Sequence, residues 1–185
     1  MNEHTSRLVL SADAPRALVV YTSQHVQTKA IALALIEHLS RVGVRGELAD
    51  ADERSIPDIT AYDVVVIGSS LHFGRHPTSV LDCIRRIRER LTTMPAFFFS
   101  VGDDDNGGIE VTGWRPTSSA VFDRHVRDRR RFRHQLGGHA PSATDLALAE
   151  SSKVAAFAAV IAAAIAHRLP PEGDTSRSSR DQQVL

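Results

Sequence analysis

The chain predicts an α/β fold: an open parallel sheet with helices on both faces. Three observations carry this. Short, nearly continuous apolar runs, "ALVVY" (17–21), "DVVVIG" (63–68) and "MPAFFFSVG" (94–102), read as strands covered on both sides. Between them lie segments whose apolar residues recur at three- and four-residue spacing, the period of a helix with one buried stripe. The two patterns alternate along the chain, as in βαβ units.

Taken in order, the first strand (17–21) precedes a helix over 26–42, with Ile31, Leu35, Leu39 and Val42 in one stripe and Gly43 as its terminator. "GELADA" (46–51) is a second strand and 63–68 a third. Pro77 opens the next helix, where its missing N–H leaves no bond unmade, and Val80, Ile84, Ile87 and Leu91 form the buried stripe. Residues 94–102 are the fourth strand and "SAVFD" (119–123) a fifth. A last helix over 150–168 buries Val154, Phe157, Ile161 and Ile165.

Composition bounds the rest. A length of 185 residues suits one domain, and 42% hydrophobic residues can fill a core. Lys and Arg number 22 against 22 Asp and Glu, so bulk charge points to neither nucleic acid nor a membrane surface. The single cysteine, Cys83, allows no internal disulfide and fits a reducing compartment. The start lacks the sustained apolar region of a signal peptide, and Val154–Ala166 is too short and alanine-rich to span a bilayer. A cytoplasmic protein is expected. Polar, Pro/Ser-rich ends set the expected boundaries: disordered segments at 1–15 and 170–185 around a domain at 16–169.

Ligands of open α/β sheets bind beyond the carboxyl ends of the strands. That rule selects three loops. The first, Thr22–Thr28 ("TSQHVQT"), offers hydroxyls, amides and an imidazole at a helix N-terminus, which suits a phosphate; an ordinary helix cap has the same composition. The second, 69–76 ("SSLHFGRH"), places Phe73 beside Gly74, either to lie against a planar ring or to fold onto the sheet. Two histidines and an arginine flank it, where a core would not want them. The third, 100–113, is acidic and glycine-rich; Asp103–Asp105 can meet a divalent cation or simply solvate a turn. No histidine spacing specifies a zinc site, and no metal is expected. The basic run at Arg124, Arg127, Arg129, Arg130, Arg131 and Arg133 is either a solvated surface or a peripheral contact with an anionic one; nucleic acid is not expected.

Together, "ALVVYTSQHVQTKAIA", "YDVVVIGSSLHFGRHPTSV" and "MPAFFFSV", with "TGWRP" (112–116) further on, resemble the flavodoxin fold. More closely, they resemble the menaquinone-dependent protoporphyrinogen IX dehydrogenases, over Ala17 to Gly102. The resemblance implies non-covalent FMN. Ser23, Gln24, His25, Gln27 and Thr28, with the Val26 N–H, would surround its phosphate. Ser69, Ser70, Leu71, His72, Phe73 and Gly74 would pass beside the ribityl chain and ring, with Phe73 stacking; Ser100, Val101 and Gly102 would close the other side. In that family the flavin takes electrons from a porphyrinogen and passes them to a quinone, a step in haem synthesis.

Two positions depart from the family pattern. His25 stands where a hydroxyl or acid is usual, and Val26 where glycine lets backbone approach phosphate. The connection from Val101 to Trp114 is also shorter than in relatives, a shortened fourth crossover. The expected function is therefore an FMN-binding oxidoreductase or electron-transfer protein whose electron donor and acceptor are unidentified. The alternative is a flavodoxin-like domain that has lost flavin and acts through a protein partner. Phosphate-loop chemistry does not separate FMN from a deazaflavin.

Overall fold

The computed structural model describes residues 11–22, 26–53, 56–71, 73, 75–102, 112–123 and 151–168. The elements are β1 (Arg16–Tyr21), α1 (Val26–Arg41), β2 (Arg45–Asp50), a 3₁₀ turn (Ile59–Ala61), β3 (Val64–Ser70), α2 (Thr78–Leu91), β4 (Ala96–Val101), β5 (Ser118–Phe122) and α3 (Ser151–Arg168). All strand pairs are parallel and the spatial order is β2-β1-β3-β4-β5. The chain runs outward from β1 to β2, then crosses to β3 and continues the other way. The switch point therefore lies between β1 and β3, and open α/β sheets bind ligands beyond the carboxyl ends of the strands at such a point.

Strand register explains why the sequence needs two sets of apolar residues. Val19 pairs with Val66, and Val66 with Phe97, so these side chains share one face. They meet α1 through Ile31, Leu35 and Leu39, and α3 through Val154, Phe157, Ile161 and Ile165. Leu18, Val20, Val65, Ile67 and Phe98 take the opposite face, under Val80, Ile84 and Leu91 of α2 and against Tyr62 and Trp114. The triple phenylalanine of β4 serves both layers. Phe97 and Phe99 make edge-to-face contacts with Phe157 and Phe122, while Phe98 does so with Trp114. Each such ring pair adds about 0.5–1.5 kcal/mol beyond its buried area. Phe99 also dictates Gly68: a Cβ there would lie 2.1 Å from the Phe99 ring.

The structure differs from the sequence reading in three places. Val42 is 62% exposed, not part of the α1 stripe. Gly43, at φ 85°, turns the chain in a left-handed cap; the Gly43 N–H donates to Ser40 O and the Val44 N–H to Leu39 O. The next apolar residue inward is consequently Val44, which is buried. The 3₁₀ turn at 59–61 has no strong sequence period; it is capped by the Asp58 carboxylate, which accepts from the Thr60 N–H and is thereby held below its ordinary pKa. Finally, β3 continues two residues past Gly68, because Ser69 and Ser70 pair with Ser100 and Val101. Of the segments expected to be loose, 1–10 and 170–185 lie outside the described residues. The Pro15 carbonyl accepts from the Arg45 N–H. No described helix is long and apolar enough to cross a membrane.

Candidate functional site

The carboxyl ends of β1, β3 and β4 carry a set of buried hydroxyls that packing alone does not explain. Thr22 follows β1 directly and Thr28 sits in the first turn of α1; both are fully buried. Neither Oγ1 has a hydrogen-bond partner among the described residues. Ser70, at the end of β3, is equally buried, and its Oγ is unpartnered in the same sense. An unsatisfied buried hydroxyl costs about 1–3 kcal/mol. Two of the three flank the entrance to α1, where free N–H groups and the helix dipole favour an anion.

Val26 opens α1 at this entrance. Its side chain is 63% exposed, directed into solvent. Phe73 is the one non-glycine residue at positive φ among those described, so Val26 begins α1 without backbone strain. Gln27 is buried, but its Nε2 donates to the Asp123 carbonyl at 2.6 Å. The Asp123 carboxylate in turn pairs with Lys153 at 2.9 Å. This links the first turn of α1 to the end of β5 and the start of α3. Ser23, Gln24 and His25 lie outside the described residues.

The second loop is pinned where it leaves β3, and its Phe73 is exposed. The Leu71 N–H donates to Val101 O and the Gly102 N–H to Phe122 O, each at 2.9 Å, so the strand ends remain zipped. Leu71 is buried against Gly102, where an added Cβ would come within 2.8 Å of the Leu71 Cβ. Ser100 and Val101 are buried strand residues. Phe73 stands 95% exposed at φ 51°, an aromatic face presented to solvent. His72 and Gly74 lie outside the described residues, as do the acidic stretch 103–111 and the arginines from 124 to 133.

His76 corrects the expectation that the loop's histidines avoid the core. It is 6% exposed, its Nδ1 is hydrogen-bonded to Ser69 Oγ at 3.0 Å, and its ring meets Phe98 edge-on at 5.2 Å. Burial pushes its pKa down to about 4, so the imidazole is neutral at physiological pH. Ser69 therefore faces inward to a protein partner, unlike Ser70. Burial likewise raises the pKa of the Cys83 thiol. Among the described residues no group of three His, Cys, Asp or Glu is placed to hold a metal.

The structure thus gathers Thr28, Ser70, Leu71, Phe73, Ser100, Val101 and Gly102 at one edge, with Val26 and Gln27 at its rim. In the sequence Thr22 is one of several loop hydroxyls, and the family resemblance does not give it to the ligand; its adjacency to the buried end of β1 is the signal that singles it out. His76 is not separable from its neighbours by sequence, because the pairing with Ser69 spans a loop.

These features define a doubly wound α/β protein with buried hydroxyls at its switch-point edge. The flavodoxin domain family model matches residues 18–121, more than half the chain, and the chain belongs to that family. Protoporphyrinogen IX dehydrogenase [quinone] from Escherichia coli K12 is 29% identical over 86 residues, covering 46% of this chain and 48% of that protein. The enzyme of the same name from Leishmania major is 24% identical over 93 residues, covering 50% and 40%. An uncharacterised protein of Methanocaldococcus jannaschii is 27% identical over 115 residues, covering 62% and 65%. The chain spans about half the length, or less, of the curated dehydrogenases it matches. Among solved structures, oxidised flavodoxin 1 from Bacillus cereus superposes with a TM-score of 0.53 at 15% identity, covering 84% of this chain and 99% of that one. Two-electron reduced flavodoxin from Megasphaera elsdenii gives 0.51 at 18% identity, covering 77% and 98%. These two likenesses bear on the fold alone.

Proposed function

We propose that the protein binds FMN non-covalently beyond the carboxyl ends of β1 and β3 and acts as a flavin-dependent oxidoreductase or electron-transfer protein. The observation that carries this reading is the trio of buried hydroxyls at Thr22, Thr28 and Ser70, unpartnered among the described residues. A phosphomonoester supplies acceptors to such donors without needing a cationic side chain. Thr22 and Thr28 would hold the phosphate, together with Ser23, Gln24 and His25. Ser70 and Leu71 would line the path to the ring, Phe73 would stack against it, and Ser100, Val101 and Gly102 would close the other side. Gln27 has a different role, fixing the first turn of α1 to the end of β5 through Asp123.

Bound flavin supplies the hydride and one-electron chemistry; the protein binds it, orients it and excludes water. The finer reading is a dehydrogenase acting on a porphyrinogen with a quinone acceptor, in the reducing interior of the cell. It is supported by the two relatives whose names state that activity, and it rests on only about half of their length.

Titration of the purified chain with FMN, followed by visible absorbance and fluorescence quenching, tests the binding. Saturable uptake at micromolar concentration is expected, with an FMN-dependent rise in melting temperature. The double variant Thr22→Val, Thr28→Val should lose that rise. A chain that stays colourless after dialysis from excess FMN overturns the proposal.

A further inference from the structure

We propose that His76 is the positioning residue beside Phe73: its imidazole, paired with the Ser69 hydroxyl beneath the edge of Phe98, anchors the chain where it returns to α2 and so holds Phe73 in its presenting position. This deepens the FMN reading given above and rests on it for the role of Phe73. The clamp itself is independent of any ligand.

The loop leaves the sheet at Ser70 and must come back to start α2 at Thr78. Its outgoing end is fixed by the bond from the Leu71 N–H to Val101 O and by the Leu71–Gly102 packing. Its tip holds a phenylalanine at φ 51°, almost entirely in solvent. A non-glycine residue in that region persists only where the surrounding structure over-determines it. At the returning end, Arg75 is exposed, and Pro77 has no N–H to donate. His76 is the residue that turns inward. It bridges to β3 through Ser69 and to β4 through Phe98.

The pair is also sensitive to charge. Among the described residues Ser69 Oγ has one other partner, the Ser70 carbonyl at 3.5 Å, so loss of the imidazole leaves a fully buried hydroxyl nearly unsatisfied. Neither Ser69 nor Phe98 titrates, the first turn of α2 carries no acid, and the chain neighbour Arg75 is cationic and exposed. An imidazolium at this position has no counter-ion among the described residues, and burial alone accounts for its depressed pKa. Acid should therefore loosen the loop before it affects the hydroxyls at the α1 mouth.

Three full-length variants test the clamp: His76→Leu, Ser69→Ala and His76→Asn, whose side-chain amide reaches the place of Nδ1. The ligand-free readout is chymotrypsin cleavage after Phe73 at neutral pH; the second is FMN affinity from pH 8 to 4.5, with circular dichroism confirming the fold. Leu and Ala should each raise cleavage about tenfold and weaken FMN about tenfold. Asn should restore both and remove the part of the acid-dependent weakening of FMN binding that the wild type is expected to show below about pH 6 through His76, leaving the part due to the FMN phosphate itself. Wild-type cleavage rates in folded Ser69→Ala overturn the clamp whatever FMN does, and this variant decides the matter should His76→Leu fail to fold. A wild type that takes no FMN sinks the functional reading, while the cleavage rates still judge His76.

Discussion

The two ends of the sheet differ in how their polar groups are used. At the amino edge they are paired. The Arg16 N–H donates to the Asp63 carboxylate at 2.7 Å, the Arg16 guanidinium lies over the Tyr62 ring and reaches Glu47, and Arg168 donates to Thr93 O. Tyr62 is buried enough that its hydroxyl is pushed up to about 12, first by desolvation and then by the neighbouring Glu47. At the carboxyl edge, Thr22, Thr28 and Ser70 are buried without partners among the described residues, Phe73 is exposed, and a neutral histidine is shut inside. The groups named at the amino edge are satisfied within the fold. The carboxyl edge keeps unmet polar capacity, which folding alone does not reward and ligand binding does.

On that contrast, substitutions in the body of the sheet should change stability, and substitutions at the carboxyl edge should change ligand affinity. The largest effect is expected from Gly68→Ala. Its Cβ would overlap the Phe99 ring in the centre of the molecule, so a loss of about 3 kcal/mol or more in denaturant unfolding is predicted. Near-wild-type stability would mean that β4 is not packed as described.

Next is the acid dependence of the ligand-free protein. The unfolded chain protonates His76 near its ordinary value of 6.5, whereas the folded chain does so only near 4. Stability contributed by the neutral histidine is therefore complete above pH 6.5 and is lost as pH falls toward 4, by up to about 3 kcal/mol. The fall should be absent from His76→Asn when the two stability–pH curves are subtracted.

Thr28→Val reverses the usual sign. It removes a buried hydroxyl that has no partner among the described residues, so apo stability should stay level or rise by about 1 kcal/mol while FMN affinity drops. A clear destabilisation would show that this hydroxyl is already satisfied in solution.

The smallest change is Phe73→Gly. Relief of the positive φ should stabilise the apo protein by roughly 0.5–1 kcal/mol, and loss of the aromatic face should weaken FMN. Unchanged FMN affinity would remove Phe73 from the site and leave the hydroxyl edge as its only support.

Much of the architecture is legible in residues 17–21, 63–68 and 94–102, because a strand covered on both faces must be apolar at every position. The stripes of α2 and α3 are equally clear. Val42 falls on the wrong side because helical periodicity does not say where a left-handed glycine will turn the chain. The loops after β1, β3 and β4 do lie together at the carboxyl edge of the sheet. What they cannot reveal is division of labour: Ser69 and Ser70 are adjacent and identical, yet one is paired with His76 and the other is not.

The sequence by itself determined the order of strands and helices and the two apolar layers, since hydrophobic period and strand–helix alternation are local properties of the chain. Tertiary structure alone decided which hydroxyls lack partners, that Gln27 ties α1 to β5, that Val26 faces solvent and that His76 is buried. Each of these depends on groups from two or three elements meeting across the sheet edge, some of them 96 residues apart in the chain, and such meetings have no period to read.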